Sequence, residues 1–106
     1  MEQKNRILIV EDDTDINNLL YTALQKAGYE MVQAFSGTEA RMLFQMDKAG
    51  FSLIVLDLML PGISGEEVLA QIRKQGNTPV IVLTAKDGLD EKIGLLTSGA
   101  DDYITK

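Results

Sequence analysis

The chain has 106 residues, of which 45% are hydrophobic and 25% charged, and its formal net charge is -6. This length suits one compact domain, and the acidic balance argues against direct binding of a nucleic-acid backbone, which depends on Lys and Arg. Because the chain contains no Cys and no run of about 20 apolar residues, we expect no disulfide framework, no membrane span and a cytoplasmic location.

Short apolar runs alternate with segments of helical period along the chain. The first run, Ile7 to Val10, contains no polar residue, which is typical of a strand buried on both faces. An amphipathic pattern follows and predicts a helix that ends before Gly28; its apolar positions are Ile16, Leu19, Leu20, Ala23 and Leu24. A shorter strand is predicted over Glu30 to Ala34.

The alternation continues through the second half of the chain. Ser36, with Glu39 three residues later, is typical of a helix N-terminus. Further strands are predicted over Leu53 to Leu56, Val80 to Leu83 and Asp102 to Thr105, and further helices over Ser64 to Lys74 and Leu89 to Ser98. This pattern predicts an α/β fold of the flavodoxin-like type, with a doubly wound, parallel five-stranded sheet in the order 2-1-3-4-5.

Charged or reactive side chains follow four of the five predicted strands. They are Glu11, Asp12 and Asp13 after the first strand, Asp57 after the third, Thr84 after the fourth and Lys106 after the fifth. Ligands of such sheets bind outside the carboxyl ends of the strands, where these residues meet. Asp13 or Thr14 is a candidate helix N-cap, but capping does not account for the other acids together.

Carboxylates that converge at one edge of a sheet repel one another unless they are protonated or neutralised by a cation. Oxygen ligands without His or Cys favour Mg²⁺, which also holds phosphate oxygens. Asp57 follows an apolar strand and is the candidate nucleophile for a phosphoryl group. Thr84 offers a hydroxyl group, and Lys106 a cation, to the phosphoryl oxygens. The edge therefore predicts Mg²⁺-dependent phosphoryl chemistry.

Four motifs, read in order, resemble the receiver domain of bacterial two-component response regulators: Ile9 to Asp13, Leu56 to Gly65, Leu83 to Ala85 and Gly99 to Lys106. The resemblance implies that a sensor histidine kinase passes a phosphoryl group to Asp57. It also implies that Asp12 binds Mg²⁺ directly, that Glu11 does so chiefly through water, and that the Met59 backbone carbonyl completes the protein ligands. Such a domain promotes only its own phosphorylation and dephosphorylation and is not an enzyme acting on a separate substrate.

The same resemblance makes Thr84 and Tyr103 a switch pair. On phosphorylation the Thr84 hydroxyl is expected to turn toward the phosphate, and the Tyr103 ring to move from an exposed position into the vacated space. The alternative is that Tyr103 only packs against the fourth helix.

The last motif most resembles the winged-helix transcription-factor class, or OmpR/PhoB type, in which a separate effector domain binds DNA. The stretch stops at Lys106, so we expect a receiver domain over residues 1–106 that is truncated before its fifth helix and lacks its effector. Apolar surface of the third to fifth strands should then be exposed. It would favour a homodimer or self-association, through that face or through the fourth helix and fifth strand.

Two other functions remain open. A receiver fold that is not phosphorylated would act only as an interaction or dimerisation module. A Mg²⁺-dependent phosphatase of the haloacid-dehalogenase kind also uses an Asp after a strand, but it needs a second Asp where this chain has Met59.

A flavodoxin-like cofactor binder would share the fold, but it would need a phosphate-binding loop after the first strand. The three acids that follow this strand, Glu11, Asp12 and Asp13, would repel a phosphate.

Overall fold

The computed structural model describes residues 5–46, 50–84 and 99–105, with Thr84 and Thr105 described at the backbone only. Its elements are β1 (Arg6–Val10), α1 (Thr14–Lys26), β2 (Glu30–Ala34), α2 (Gly37–Met46), β3 (Leu53–Asp57), α3 (Gly65–Gln75), β4 (Val80–Thr84) and β5 (Asp102–Thr105). The predicted helix over Leu89 to Ser98 lies outside the described residues. Within the described ranges, no helix is both long enough and apolar enough to cross a membrane.

All five strands form one parallel sheet in the order β2-β1-β3-β4-β5, which confirms the predicted fold and strand order. Val10, the last residue of β1, pairs with Ala34 of β2 on one side and with Leu56 of β3 on the other. Asp57 pairs with Leu83 of β4. This register brings the carboxyl ends of β1, β3 and β4 to the same edge of the sheet.

The two faces of the sheet carry separate core clusters. The larger cluster contains apolar residues of β1, β3 and β4 and the inward side of α3, including Val68, Leu69 and Ile72. The smaller cluster contains Ile7, Val55 and Leu83, against which Leu20 and Leu24 of α1 pack. The helices thus hold the sheet from both sides, as the uninterrupted apolar strands predict.

The predicted exposure of apolar surface on β3 to β5 is found in part, at Ile104 of β5 and to a lesser degree at Ile81 of β4. Ile104 of β5 pairs with Leu83 and is 53% exposed. Val55 and Leu83 on the same face are buried, so the prediction is wrong for them. The physical reason is that both belong to the smaller cluster, which the apolar side of α1 covers.

Side-chain caps fix the starts of the first two helices. Asp13 Oδ1 accepts hydrogen bonds from the backbone N–H groups of Asp15 (3.0 Å) and Ile16 (3.2 Å), so Asp13 is the N-cap of α1. Ser36 Oγ accepts one from the N–H of Glu39 (3.1 Å), as predicted for α2. Each cap satisfies backbone donors that a helix cannot bond internally.

The inward side of α1 differs from the predicted apolar stripe. Leu19 is 69% exposed and Ala23 is also exposed, whereas the polar residue Asn17 is completely buried. Asn17, Leu20 and Leu24 follow the spacing i, i+3, i+7 and form the inward side. Leu19 is rotated by about 200° from Asn17 around the helix, since each residue advances about 100°. The prediction for Leu19 and Ala23 is therefore wrong.

Candidate functional site

Three carboxylates meet at the carboxyl edge of the sheet, as predicted. Ligand oxygens of Glu11, Asp12 and Asp57 lie within 4.8 Å of one another. Glu11 is 0% exposed and Asp57 is 2% exposed, whereas Asp12 is exposed to solvent. The group therefore has two buried acids and one that faces outward.

The strand ends hold this acidic group firmly. Glu11 follows β1 directly, and its N–H donates to the Ala34 carbonyl of β2 at 3.1 Å, which continues the pairing of the two strands by one residue. On the other side, the Leu58 N–H donates to the Leu83 carbonyl at 3.3 Å just beyond Asp57. Carboxylates placed on the ends of central strands keep a fixed separation better than carboxylates on loops do.

The loop after Asp57 folds back onto the carboxylate. The Met59 N–H donates to Asp57 Oδ1 at 3.2 Å, and the Gly65 N–H donates to the Leu58 carbonyl at 3.1 Å. Ser64 then caps α3 by accepting from the N–H of Glu67 at 3.2 Å. The hydrogen bond from Met59 fixes the direction of the Asp57 side chain.

Gly65 is required by its closeness to β3. A Cβ atom at this position would clash with the backbone of Leu58 and with the Asp57 carbonyl oxygen. Only the absence of a side chain lets α3 begin directly against the end of the strand. The first turn of α3 therefore packs directly against the backbone of Asp57 and Leu58.

The acidic group fits a hard divalent cation. Burying ionised carboxylates side by side is costly in free energy, and a bound cation offsets that cost. The donors brought together are carboxylate oxygens, the ligand type that Mg²⁺ prefers, and the outward acid, Asp12, leaves the group accessible from solvent. The residues present are thus suited to hold Mg²⁺ beside Asp57.

The remaining predicted site residues are placed only in part. Thr84 ends β4 and pairs with Thr105, but its side chain, like the whole of Lys106, lies outside the described residues. Tyr103 pairs with Val82 and packs half-buried against the larger core cluster. The ring is thus less exposed than the switch prediction assumed. The roles of Thr84, Lys106 and the Met59 carbonyl stay predictions.

Sequence reasoning missed a buried amide network beside the acids. Asn17 Nδ2 donates to the Glu11 carbonyl at 2.9 Å and to the Ala34 carbonyl at 3.0 Å. Gln33 Nε2 donates to Asn17 Oδ1 at 2.8 Å. The available signal was a polar residue in the i, i+3, i+7 series with Leu20 and Leu24, a position that is normally apolar.

Comparison with known proteins agrees with this geometry. A family model described as "Response regulator receiver domain" matches residues 7–106. The chain belongs to this family. Receiver domains take part in signalling by phosphorylation in two-component systems, which accords with the acidic edge of the sheet.

Relatives and solved structures support the assignment. The receiver domain is 46% identical over 101 residues to the uncharacterized transcriptional regulatory protein YrkP of Bacillus subtilis, covering 95% of this chain and 42% of that relative. The chain thus spans less than half of that relative's length. Among solved structures, the Francisella response regulator 1452 receiver domain superposes with a TM-score of 0.91 at 38% identity, covering 97% of this chain and 84% of that one. The response regulator TrrA of Thermotoga maritima, solved in complex with Mg²⁺ and BeF, has a TM-score of 0.81 at 38% identity, covering 96% and 86%.

Proposed function

We propose that this receiver domain accepts a phosphoryl group on Asp57 from the phosphohistidine of a sensor histidine kinase, with the help of Mg²⁺. The observation that carries the proposal is the burial of Asp57 within 4.8 Å of the carboxylates of Glu11 and Asp12. Carboxylates gathered in this way are suited to bind a divalent cation, which offsets the cost of burying their charges together. The complex of the related TrrA with Mg²⁺ and BeF supports the choice of metal.

In the proposed reaction, a carboxylate oxygen of Asp57 forms a bond to phosphorus as the phosphorus–nitrogen bond of the donor phosphohistidine breaks. The Met59 N–H holds Asp57 Oδ1 in a fixed direction during this step. Asp12, Glu11 and the Met59 carbonyl are the groups that would hold the metal ion beside Asp57. When bound, Mg²⁺ would supply positive charge to offset the repulsion between these carboxylates and the phosphoryl oxygens.

Two predicted groups complete the site from β4 and β5. The Thr84 hydroxyl donates to one phosphoryl oxygen, and the ammonium group of Lys106 neutralises another. Thr84 and Tyr103 then form the switch pair, in which the Tyr103 ring, half-buried against the larger core cluster, changes its packing when Thr84 turns toward the phosphate. The domain promotes its own phosphorylation and dephosphorylation and turns over no separate substrate.

The output proposed for this receiver domain is control of transcription in the cytoplasm. YrkP is named a transcriptional regulatory protein, and the motif from Gly99 to Lys106 resembles the OmpR/PhoB-type winged-helix class. DNA would be bound by an effector domain rather than by the receiver, whose net charge of -6 opposes binding to phosphates.

A second candidate function is an interaction module that works without phosphorylation. Ile104 favours it, because a β-branched apolar side chain that is 53% exposed on β5 is a contact point for another protein surface. The two functions are compatible in one domain. They differ in whether Asp57 must be modified.

Intact-mass measurement after incubation with acetyl phosphate and Mg²⁺ tests the proposed function. The wild-type chain should gain the mass of one phosphoryl group, and Asp57→Asn should not. Asp15→Asn, which changes an exposed acid on α1, is the matched control and should be phosphorylated normally. A wild-type chain that gains no mass, or an Asp57→Asn chain that does, contradicts the proposal. Continuous release of phosphate from a substrate such as p-nitrophenyl phosphate would indicate the phosphatase instead.

A further inference from the structure

The side chain of Asn17 lies directly against the backbone of the acidic edge. It is 0% exposed, and its two amide hydrogens go to two different strand ends: to the Glu11 carbonyl (2.9 Å) after β1 and to the Ala34 carbonyl (3.0 Å) at the end of β2. The Glu11 carbonyl belongs to the peptide group that joins Glu11 to Asp12. Asn17 therefore holds the peptide plane between two of the candidate metal ligands.

The orientation of the Asn17 amide is fixed by a third hydrogen bond. Gln33 Nε2 on β2 donates to Asn17 Oδ1 at 2.8 Å and also to Asn18 Oδ1 at 2.9 Å. An amide reversed by a half-turn would place its oxygen against two carbonyl oxygens and its hydrogens against a donor. In the observed orientation, both hydrogens and the oxygen of the Asn17 amide have hydrogen-bond partners. The reversed orientation loses all three bonds, so the amide has one orientation only.

The backbone of Asn17 also binds the segment from Glu11 to Asp13, at its other end. The Asn17 N–H donates to the Asp13 carbonyl at 2.9 Å in the first turn of α1. The segment from Glu11 to Asp13 is thus held at one end by the Asn17 side chain and at the other by its backbone. The exposed carboxylate of Asp12 lies between these two attachments.

We propose that Asn17 is a positioning residue of the metal site, which acts by holding the Glu11–Asp12 peptide so that both carboxylates converge on the ion. This inference rests on the proposed function, since it assumes that the acids bind Mg²⁺. Removing the amide leaves the Glu11 carbonyl without its buried side-chain donor, and the peptide then rotates to find another. Outer-shell contacts of this kind typically change metal affinity by about 10- to 100-fold when they are deleted.

Calorimetric titration with Mg²⁺ alone, on the full 106-residue chain, tests the inference. Asn17→Ala should weaken Mg²⁺ binding by about tenfold or more. Asn18→Ala is the matched control, because this neighbouring residue shares the donor Gln33 but is exposed and has no hydrogen bond to Glu11. The Mg²⁺ affinity of the Asn18→Ala variant should stay within about twofold of wild type, as expected of a surface substitution away from the metal ligands.

Thermal unfolding followed by circular dichroism separates positioning from general stability. A residue that only supports the fold would lower the melting temperature and leave the Mg²⁺ affinity of the folded chain unchanged, and that result overturns the inference. If Asn17→Ala does not fold, Gln33→Leu decides, because it removes the bond that orients the Asn17 amide and keeps both Asn17 donors; the bond to Asn18 that it also removes is controlled by Asn18→Ala. Weaker Mg²⁺ binding by Gln33→Leu supports the inference, and wild-type affinity overturns it. A wild-type chain that binds no Mg²⁺ overturns the proposed function itself.

Discussion

Arg73 of α3 and Asp101, just before β5, form an ion pair with 2.7 Å between Nη2 and Oδ2. The same guanidinium group donates to the carbonyls of Gly99 and Thr78, each at 2.7 Å, and Asp101 Oδ2 also accepts from the Val80 N–H at 2.8 Å. The two side chains therefore tie the end of α3 to the starts of β4 and β5. They connect the helix that follows the acidic group to the strand that carries Tyr103.

Replacing Arg73 by Ala should lower the free energy of unfolding by about 1.5–3 kcal/mol, because three charge-assisted hydrogen bonds are lost. Arg73→Lys should fall between wild type and Arg73→Ala, since an ammonium group cannot reproduce the planar fork. Urea unfolding followed by circular dichroism measures the effect. Lys74→Ala, an exposed neighbour on the same helix, is the control, and an equal loss in that variant would contradict the interpretation.

Gly65→Ala should disturb the site through the backbone. The added Cβ would clash with Leu58 and with the Asp57 carbonyl, so α3 has to shift away from β3. We expect a loss of about 1–3 kcal/mol in unfolding free energy, together with slower phosphorylation of Asp57 by acetyl phosphate. Glu66→Ala, at the next and exposed position, controls for helix propensity and should phosphorylate at the wild-type rate. Normal kinetics in Gly65→Ala would show that the contact is dispensable.

The sequence sufficed to predict the sheet, because unbroken apolar strands alternating with helices have few possible topologies. The sequence also predicted that Glu11, Asp12 and Asp57 meet at one edge of the sheet, since the carboxyl ends of parallel strands lie together there. The inward side of α1 could not be derived in the same way. Leu19 fits an apolar stripe by spacing, whereas Asn17 can be buried because partners distant in sequence, Ala34 and Gln33 among them, satisfy its amide. The Arg73–Asp101 pair, whose partners are 28 positions apart in the sequence, could not be predicted either, because long-range polar contacts leave no local periodicity.

Asp12 and Asp13 are neighbours with different proposed tasks, and two substitutions separate them. Asp13→Ala removes the N-cap of α1 and should cost about 1 kcal/mol of stability, with Mg²⁺ binding largely retained. Asp12→Asn should leave stability nearly unchanged, because the side chain is exposed, but should weaken Mg²⁺ binding markedly. Urea unfolding and calorimetric titration with Mg²⁺ on both variants give the comparison. The assignment fails if Asp12→Asn binds the ion as tightly as Asp13→Ala does.

Ile104 provides a test of the expected self-association. Its side chain is 53% exposed on the face of the sheet that also carries Leu83 and the partly exposed Ile81. We expect concentration-dependent dimers in sedimentation equilibrium, in which complete burial of Ile104 contributes at most about 1.5–3 kcal/mol and the rest of this apolar face supplies the remainder.

Ile104→Thr should shift that equilibrium toward the monomer without lowering stability, because Thr keeps the β-branched shape on an already exposed surface. Met46→Thr is the matched control: Met46 is 75% exposed on α2, away from this face, and its replacement should leave the dimers intact. A wild-type chain that stays monomeric at all concentrations would contradict the prediction, and equal effects of the two substitutions would assign the association to general surface hydrophobicity. Loss of dimers in Ile104→Thr alone would identify the β5 side of the sheet as the contact.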